Sequence, residues 1–325
     1  MHIGAWRIER ELGRGGMATV YAAVHTQFGK RCAIKLAHRT SPSRRLIHQA
    51  FLREARTSNL IHHPGVTEVF ATGTYDRRPY LAMEVLSGRS LGACLEEPMP
   101  REQALEILIE LCDVIAAAHA AGITHRDLKL DNVLLLDAPS GDGRRIKLLD
   151  WGMARIAGEH DPLRNMIAGT LTYVAPEQIR GEDITPAADI YALAVLIYRL
   201  VLGDVPFMSP DDLDLIQQHL HDEPLRPRML WRDIPRELEM TLLAMLAKQP
   251  HARPALPEIV RVLGDTLAQL RASKRHPLAS PAAAPPSPPL GSPRIALLAT
   301  KPHRMAGAAL GFALTVLGLI QLFSA

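Results

Sequence analysis

Aromatic side chains make up only 5% of the 325 residues, and there are three cysteines. Cys32, Cys94 and Cys112 lie far apart and form no CxxC pair, so neither a metal knuckle nor a dithiol centre nor a disulfide framework is expected. The thiols read as buried or free in a reducing cytosol. Net charge is almost absent: 37 Lys and Arg against 34 Asp and Glu leave +3, too little to argue for a nucleic-acid partner. Met1 to Leu12, MHIGAWRIEREL, carries Arg7, Glu9, Arg10 and Glu11 and lacks the apolar run of a secretory signal, so the body is expected in the cytosol. No repeat at a solenoid period is seen. Length is not lacking, since 325 residues can bury the core of one large domain or two ordinary ones. The apolar fraction of 47% is ordinary but unevenly spread, with a proline-dense stretch followed by twenty almost wholly apolar residues.

From Trp6 to about Leu36 short alternating apolar segments are broken by glycines. Val20, Ala22 and Val24, then Cys32, Ile34 and Leu36, are two period-two runs around a polar turn at Gln27 to Lys30, which predicts a hairpin. Leu46 to Leu60 has helical spacing, with Leu52, Ala55 and Leu60 as its apolar positions, and strands are expected at Thr67 to Thr72 and Tyr80 to Val85. Beyond Pro100 helical patterns dominate: Ala104 to Ala121, Ala187 to Leu202, Leu238 to Ala247 and Glu258 to Leu270. A strand-rich third before a helix-rich remainder implies an α+β fold of two lobes with a cleft between them.

After Leu270 the composition breaks. Pro277 to Pro293 holds seven prolines in seventeen residues, interleaved with Ala and Ser, so residues 271–304 are expected to be a disordered, polyproline-like spacer with a basic end. Ala306 to Phe323 is eighteen residues without a charge, roughly 27 Å as a helix, close to the hydrocarbon thickness of a bilayer. A core helix is the competing reading, but the proline spacer detaches this stretch, so residues 305–325 are expected to be a transmembrane helix. Lys301, His303 and Arg304 precede it, which by the positive-inside rule keeps the body cytoplasmic and makes the helix a single-pass C-terminal anchor. Gly307 and Gly311 form a GxxxG that could pair two copies, a pattern also common in unpaired apolar helices.

Leu12 to Val20 reads LGRGGMATV between two expected strands. Glycines at 13, 15 and 16 allow close approach of backbone amides to an anion, although a glycine-rich turn is often only a turn. No P-loop follows, and the segment opens into a strand, whereas a dinucleotide fingerprint opens into a helix. Lys35 ends the strand CAIK, and Glu54 lies in the following helix within FLREAR, so an ion pair could aim the lysine at nucleotide phosphates. His125 to Asn132 reads HRDLKLDN, Asp150 to Gly152 reads DWG, and Ala175 to Glu177 reads APE.

This series, in this order and spacing, resembles a protein Ser/Thr kinase of the eukaryotic-like type found in bacteria, over about residues 6 to 270. The resemblance implies a bilobal fold with a β-rich lobe over 6–86 and a helical lobe over 87–270, ATP and Mg²⁺ as cofactors, and protein substrates with Ser or Thr acceptors. By the same resemblance Asp127 would take the hydroxyl proton, Lys129 would steady the transferring phosphate, and Asn132 and Asp150 would ligate Mg²⁺. Lys35, oriented by Glu54, would hold the α- and β-phosphates beneath a roof of Leu12, Gly13, Arg14, Gly15, Gly16, Met17, Ala18, Thr19 and Val20. Met83 would be the gatekeeper, the backbones of Glu84 and Leu86 would meet adenine, and Val20, Ala33 and Leu134 would sandwich the ring. Asp189 would support the catalytic loop, and Arg253 would pair with Glu177.

Ala18 stands where the family usually has a third loop glycine and is expected to stiffen the loop. Leu130 replaces a common proline and Trp151 a usual phenylalanine. Arg126 marks kinases whose activation segment is ordered by a phosphate, yet Asp150 to Gly169 holds no Ser, Thr or Tyr. Only Thr170 and Thr172 follow, so a fixed acid, Glu159 or Asp161, or dimerisation at the membrane is expected to order the segment. With the catalytic set complete, activity is the expectation, and a nucleotide-binding pseudokinase or signalling scaffold is the alternative.

Overall fold

A computed structural model describes residues 1–39, 44–95, 98–161 and 170–275. The chain divides into two units, Met1–Ala268 and Gln269–Ala325, and of the second only residues 269–275 are described, as the end of a helix. The spacer expected over 271–304 starts too early, since residues 271–275 still belong to a helix; its remainder and the expected membrane helix at 305–325 lie outside the described residues. Among the described residues no helix is long and apolar enough to cross a membrane.

Six strands form one antiparallel sheet: β1 (His2–Ile3), β2 (Trp6–Arg14), β3 (Ala18–His25), β4 (Arg31–Ala37), β5 (Val69–Tyr75) and β6 (Arg78–Met83), in the order β1-β2-β3-β4-β6-β5. The expected hairpin is β3–β4, in register from Ala18 opposite Ala37 to Val24 opposite Arg31. Period two then decides where the lysine goes. Cys32, Ile34 and Leu36 bury on one face with Ile3, Trp6 and Ala82. Lys35 is therefore on the other face, shared with Ala37, where Ala18, Phe51, Ala55, Val69 and Leu81 join the sheet to helix α1 (Arg44–Leu60). A one-residue slip would bury the ammonium among aliphatic side chains and turn Ile34 toward the cleft.

The packed face of α1 contains the expected Ala55 but neither Leu52 nor Leu60. Phe51, Glu54, Ala55 and Ser58 are buried, whereas Leu52 and Leu60 are 49% and 42% exposed. Positions 51, 54, 55 and 58 share one side at 3.6 residues per turn, and Leu52 lies about 100° away from Phe51.

Below the sheet, β7 (Gly88–Ser90) leads into α2 (Leu91–Cys94), and α3 (Arg101–Ala120) buries Leu105, Leu108, Leu111, Cys112 and Ile115. Burial pushes the Cys32 thiol up to about 11 and the Cys112 thiol up to about 12, so both stay protonated at neutral pH. β8 (Ile123–Thr124) pairs with β11 (Arg155–Ile156), while β9 (Val133–Leu136) pairs with both β7 and β10 (Ile146–Leu148). These short ladders carry the loops of the cleft. α4 (Pro176–Ile179) precedes α5 (Ala187–Ile197), which is buried from Ala188 to Ile197 and, Asp189 apart, carries no charge on any face. The expected run to Leu202 continues as a wider π turn, Tyr198–Leu202, stopped by Gly203 at φ 86°.

α6 (Asp212–His221), α7 (Pro227–Leu230), α8 (Arg236–Met245) and α9 (Leu256–Arg275) pack around α5 or follow it. The fully buried His219 of α6 has its Nδ1 hydrogen-bonded with the Tyr191 hydroxyl at 2.8 Å. Burial first, then Lys248, lowers its pKa to about 3. The unfolded chain therefore binds one more proton between about pH 6.5 and 3 than the folded one, so stability is complete above that window and falls as pH drops through it. His219→Gln is expected to flatten the acid limb of a urea stability profile by close to one proton; an unchanged slope would locate the acid sensitivity elsewhere.

Candidate active site

The sheet, α1 and the DWG turn meet at one ammonium. Lys35 Nζ lies 2.7 Å from Glu54 Oε2 and 3.1 Å from Asp150 Oδ1. Burial alone would lower the lysine's pKa, but Asp150 and Glu54 outweigh it and raise the pKa above its ordinary value. Burial pushes the Glu54 carboxyl above the usual carboxylate range, opposed by Lys35. For Asp150 burial acts upward, yet Lys35 wins and holds its pKa below the usual value. A charged lysine is thus fixed between one acid on a helix and one on a turn.

The catalytic-loop residues converge just as tightly. Lys129 Nζ donates to Asp127 Oδ2 at 2.7 Å, and Asn132 Nδ2 donates to the same oxygen at 3.1 Å and to the Asp127 carbonyl at 2.7 Å. Both side-chain donors take Oδ2, which leaves Asp127 Oδ1 and Asn132 Oδ1 as acceptors. Burial raises the Asp127 pKa above its ordinary value against the pull of Lys129.

Asp189, at the start of α5, holds the loop from below. Its carboxylate accepts from the backbone N–H of His125 and of Arg126, both at 2.9 Å, and its Oδ2 lies 2.8 Å from His119 Nε2. Burial would raise its pKa, but His119 more than offsets that, so it stays ionised. Arg126 and Asp150 are left-handed, at φ 70° and 59°, a conformation costing non-glycine residues about 1–3 kcal/mol. The brace under Arg126 holds that strain where the chain turns Asp127 into the cleft. Trp151 is buried, 4.5 Å from the His125 ring, with its indole N–H donating to Leu148 O at 3.4 Å. The larger ring is therefore accommodated and ties the turn to β10.

The roof follows from β2 and β3. Pairing passes from Glu11 opposite Tyr21 to Gly13 opposite Val20, so Leu12 is the extra residue of a bulge, which redirects its side chain. A Cβ on Gly13 or Gly16 would meet nothing within 4 Å, and none of Gly13, Gly15 and Gly16 has positive φ. The protein's own packing does not demand glycine at 13 or 16, where the absent side chain leaves the backbone open to close approach by an anion, whereas the Gly15 N–H is taken by the Ala18 carbonyl at 2.9 Å. Arg14 turns outward to Glu11, the Thr19 hydroxyl lies 3.0 Å from His38 Nε2, and Met17 is exposed, so these contribute backbone to the roof. The Ala18 methyl is buried in the α1–sheet cluster, so it fills core at the end of the loop.

Ala33 is buried opposite Met83 in the β4–β6 ladder, Met83 packs against the α1–sheet cluster, and Leu134 sits on β9 opposite Lys147. The Glu84 carboxylate accepts from Lys147 Nζ at 2.6 Å and from Glu68 N–H at 2.9 Å, which pins the connection leading to Leu86. Lys147 carried no motif and was invisible to sequence reasoning. Asn132 and Asp150 offer two hard oxygen donors, the small protein share expected where Mg²⁺ takes its remaining ligands from phosphates and water.

On the far side of the loop, Glu177 and Arg253 form a fully buried two-pronged pair at 2.6 and 2.7 Å. Gln178 Nε2 donates to the Arg126 carbonyl at 2.9 Å, joining α4 to the catalytic loop. Arg126 donates to Asp161 at 2.6 Å, and Arg56 to Glu159 at 2.8 Å.

A β-sheet lysine locked to a helix acid, above a braced Asp–Lys–Asn loop, is the arrangement of a phosphoryl-transfer cleft, and residues 6–262 match the protein kinase domain family. The chain belongs to that family, in its bacterial Ser/Thr branch. It is 38% identical over 254 residues to serine/threonine-protein kinase Pkn1 of Myxococcus xanthus, covering 78% of this chain and 36% of that protein. It is 32% identical over 294 residues to serine/threonine-protein kinase PknA of Mycobacterium tuberculosis, covering 87% of this chain and 64% of that one. The chain thus spans about a third of the first and under two thirds of the second.

Proposed function

We propose that this chain is an ATP-dependent Ser/Thr protein kinase that transfers the γ-phosphate of ATP to serine and threonine hydroxyls of protein substrates. The observation that carries this is the union in one cleft of the Lys35–Glu54–Asp150 cluster with Asp127, Lys129 and Asn132. Lys35 binds the α- and β-phosphates while the backbone of Gly13 to Ala18 covers them. Asn132 Oδ1 and Asp150 would hold Mg²⁺, which would supply charge neutralisation on the phosphates. Asp127 Oδ1 orients the acceptor hydroxyl and takes its proton, and Lys129, already on Oδ2, offers its remaining N–H donors to the transferring group. Leu12, Val20, Ala33, Met83 and Leu134 form the apolar slot for adenine, with the backbones of Glu84 and Leu86 at its edge.

The kinase domain faces the cytoplasm, tethered by the proline-dense residues that follow α9, up to 304, to a membrane helix at 305–325. The support for this is the uncharged run after Lys301, His303 and Arg304, and Gly307 and Gly311 offer a face for a homodimer.

Labelled ATP, Mg²⁺ and mixed Ser, Thr and Tyr peptides, given to the full chain in vesicles, test the reading. Label on Ser and Thr is expected. Tight nucleotide binding with no label transferred would instead favour the pseudokinase or scaffold, and recovery of the chain in the soluble fraction would remove the anchor.

A further inference from the structure

The buried cluster behind the catalytic loop has no part in the chemistry above, yet three elements meet there. Arg126 comes from the loop that carries Asp127, Arg53 from α1 next to Glu54, and Asp161 from the segment after DWG. Asp161 Oδ2 accepts from Arg126 Nη1 at 2.6 Å, and its Oδ1 lies 3.8 Å from Arg53 Nη1. The side chains of Arg126, Arg53 and Asp161 are 2%, 9% and 9% exposed. Two guanidiniums at such depth repel each other unless an anion lies between them, and Arg155 adds a third like charge nearby.

Arg53 is also tied directly to the same segment, donating to Ala154 O at 2.9 Å and to His160 O at 3.4 Å. One turn further along α1, Arg56 reaches Glu159. The helix that aims Glu54 at Lys35 is thus clamped to residues 154–161, and Asp161 extends the clamp to the loop holding Asp127. The charge at this point is a carboxylate encoded in the chain. Between Asp150 and Gly169 no hydroxyl exists to carry a phosphate there.

We infer that Asp161 is a positioning residue: a permanent carboxylate that locks α1 and the catalytic loop into their reactive placement, so that catalysis does not wait on phosphorylation of the chain. This rests on the kinase reading. Its consequence is an enzyme active as synthesised, with control left to substrate supply, location or removal of the clamp.

The test uses the full chain and initial rates with labelled ATP. Asp161→Asn keeps the shape and removes the charge; kcat is expected to fall about 100-fold, the scale of an ångström-sized misplacement of reacting groups. Asp161→Glu is expected to recover most of that loss. In an Arg126→Met background Asp161→Asn is expected to cost little more, because the two act as a unit. Hydrogen exchange around Arg53 to Arg56 should quicken in Asp161→Asn with the melting temperature of the remainder retained. Independently of any variant, phosphatase treatment of the wild-type chain should leave its initial rate unchanged. A wild-type rate in Asp161→Asn, or collapse of the wild-type rate after phosphatase, overturns the inference while the kinase reading stands. A wild-type chain that transfers no phosphate under any treatment overturns the kinase reading first.

Discussion

Asp127→Asn is expected to slow phosphoryl transfer by a factor of about 10²–10⁴, the usual contribution of a placed general base, with nucleotide affinity unchanged. The substitution is nearly isosteric, and a carbonyl oxygen at the same place still accepts from Lys129 and Asn132, which now donate at 2.7 and 3.1 Å. What is lost is the negative charge that receives the hydroxyl proton. Burial holds the pKa of the Asp127 carboxyl above its ordinary value, so keeping it charged costs folding energy at neutral pH. The variant should therefore melt at the same temperature as the parent or slightly higher. Single-turnover assays with labelled ATP, beside calorimetric nucleotide binding and thermal melts, separate the two effects. An undiminished rate would remove Asp127 from the chemistry, and a lower melting temperature would mean that the carboxylate supports the loop.

Much of this cleft was legible because its residues are bound to local patterns. Period two along Cys32 to Leu36 puts Lys35 on the face opposite the buried aliphatics, and the structure has it there. HRDLKLDN is eight consecutive residues whose contacts, Lys129 to Asp127 and Asn132 to Asp127, span two and five positions. Short-range geometry of that kind is carried by the string itself. On α1, by contrast, the apolar letters pointed to Leu52, Ala55 and Leu60, of which only Ala55 packs, beside Phe51, and Glu54 is buried as part of an ion pair. A helix whose buried face carries a functional acid misleads a count of hydrophobic residues.

The contacts that stayed hidden are long-range and electrostatic. Lys147 reaches Glu84 across 63 positions, and nothing near either residue signals the pairing. Asp161 was one of two acids singled out by the lack of hydroxyls around it, yet only the fold separates it from Glu159. Asp161 lies between Arg126 and Arg53 in the interior, whereas Glu159 meets the 60%-exposed Arg56. Helix α6 had a readable start, since Asp211 caps it by accepting from Asp214 N–H at 2.9 Å with acids in the first turn. Its buried positions, Leu215, Ile216 and His219, are too few for periodicity to announce it, and one of them is a histidine kept neutral by burial.

Removing one partner of the Glu177–Arg253 pair should be the most damaging single change to stability. Both side chains are essentially inaccessible, at 0% and 1% exposure, and the carboxylate takes two guanidinium N–H donors. Arg253 also donates to Ala187 O at 2.8 Å and Ala247 O at 2.9 Å, and stacks 5.0 Å from the Tyr191 ring. Glu177→Gln or Arg253→Met would leave a buried charge without its counterpart, at a cost of about 3–5 kcal/mol against a total stability of about 5–15 kcal/mol. For a unit of this size that lowers the melting temperature by roughly 10 °C. The double variant Glu177→Leu/Arg253→Met distinguishes two roles, because burying neither charge can be neutral for stability. If the double variant melts near the parent temperature yet its KM for peptide rises, the pair acts mainly on orientation. It would do so through α4, since Gln178 beside Glu177 donates to the carbonyl of Arg126 and so connects the substrate-side segment to the catalytic loop. If the double variant is as unstable as either single one, the guanidinium's bonds to Ala187 and Ala247 are what hold α5 to its neighbours.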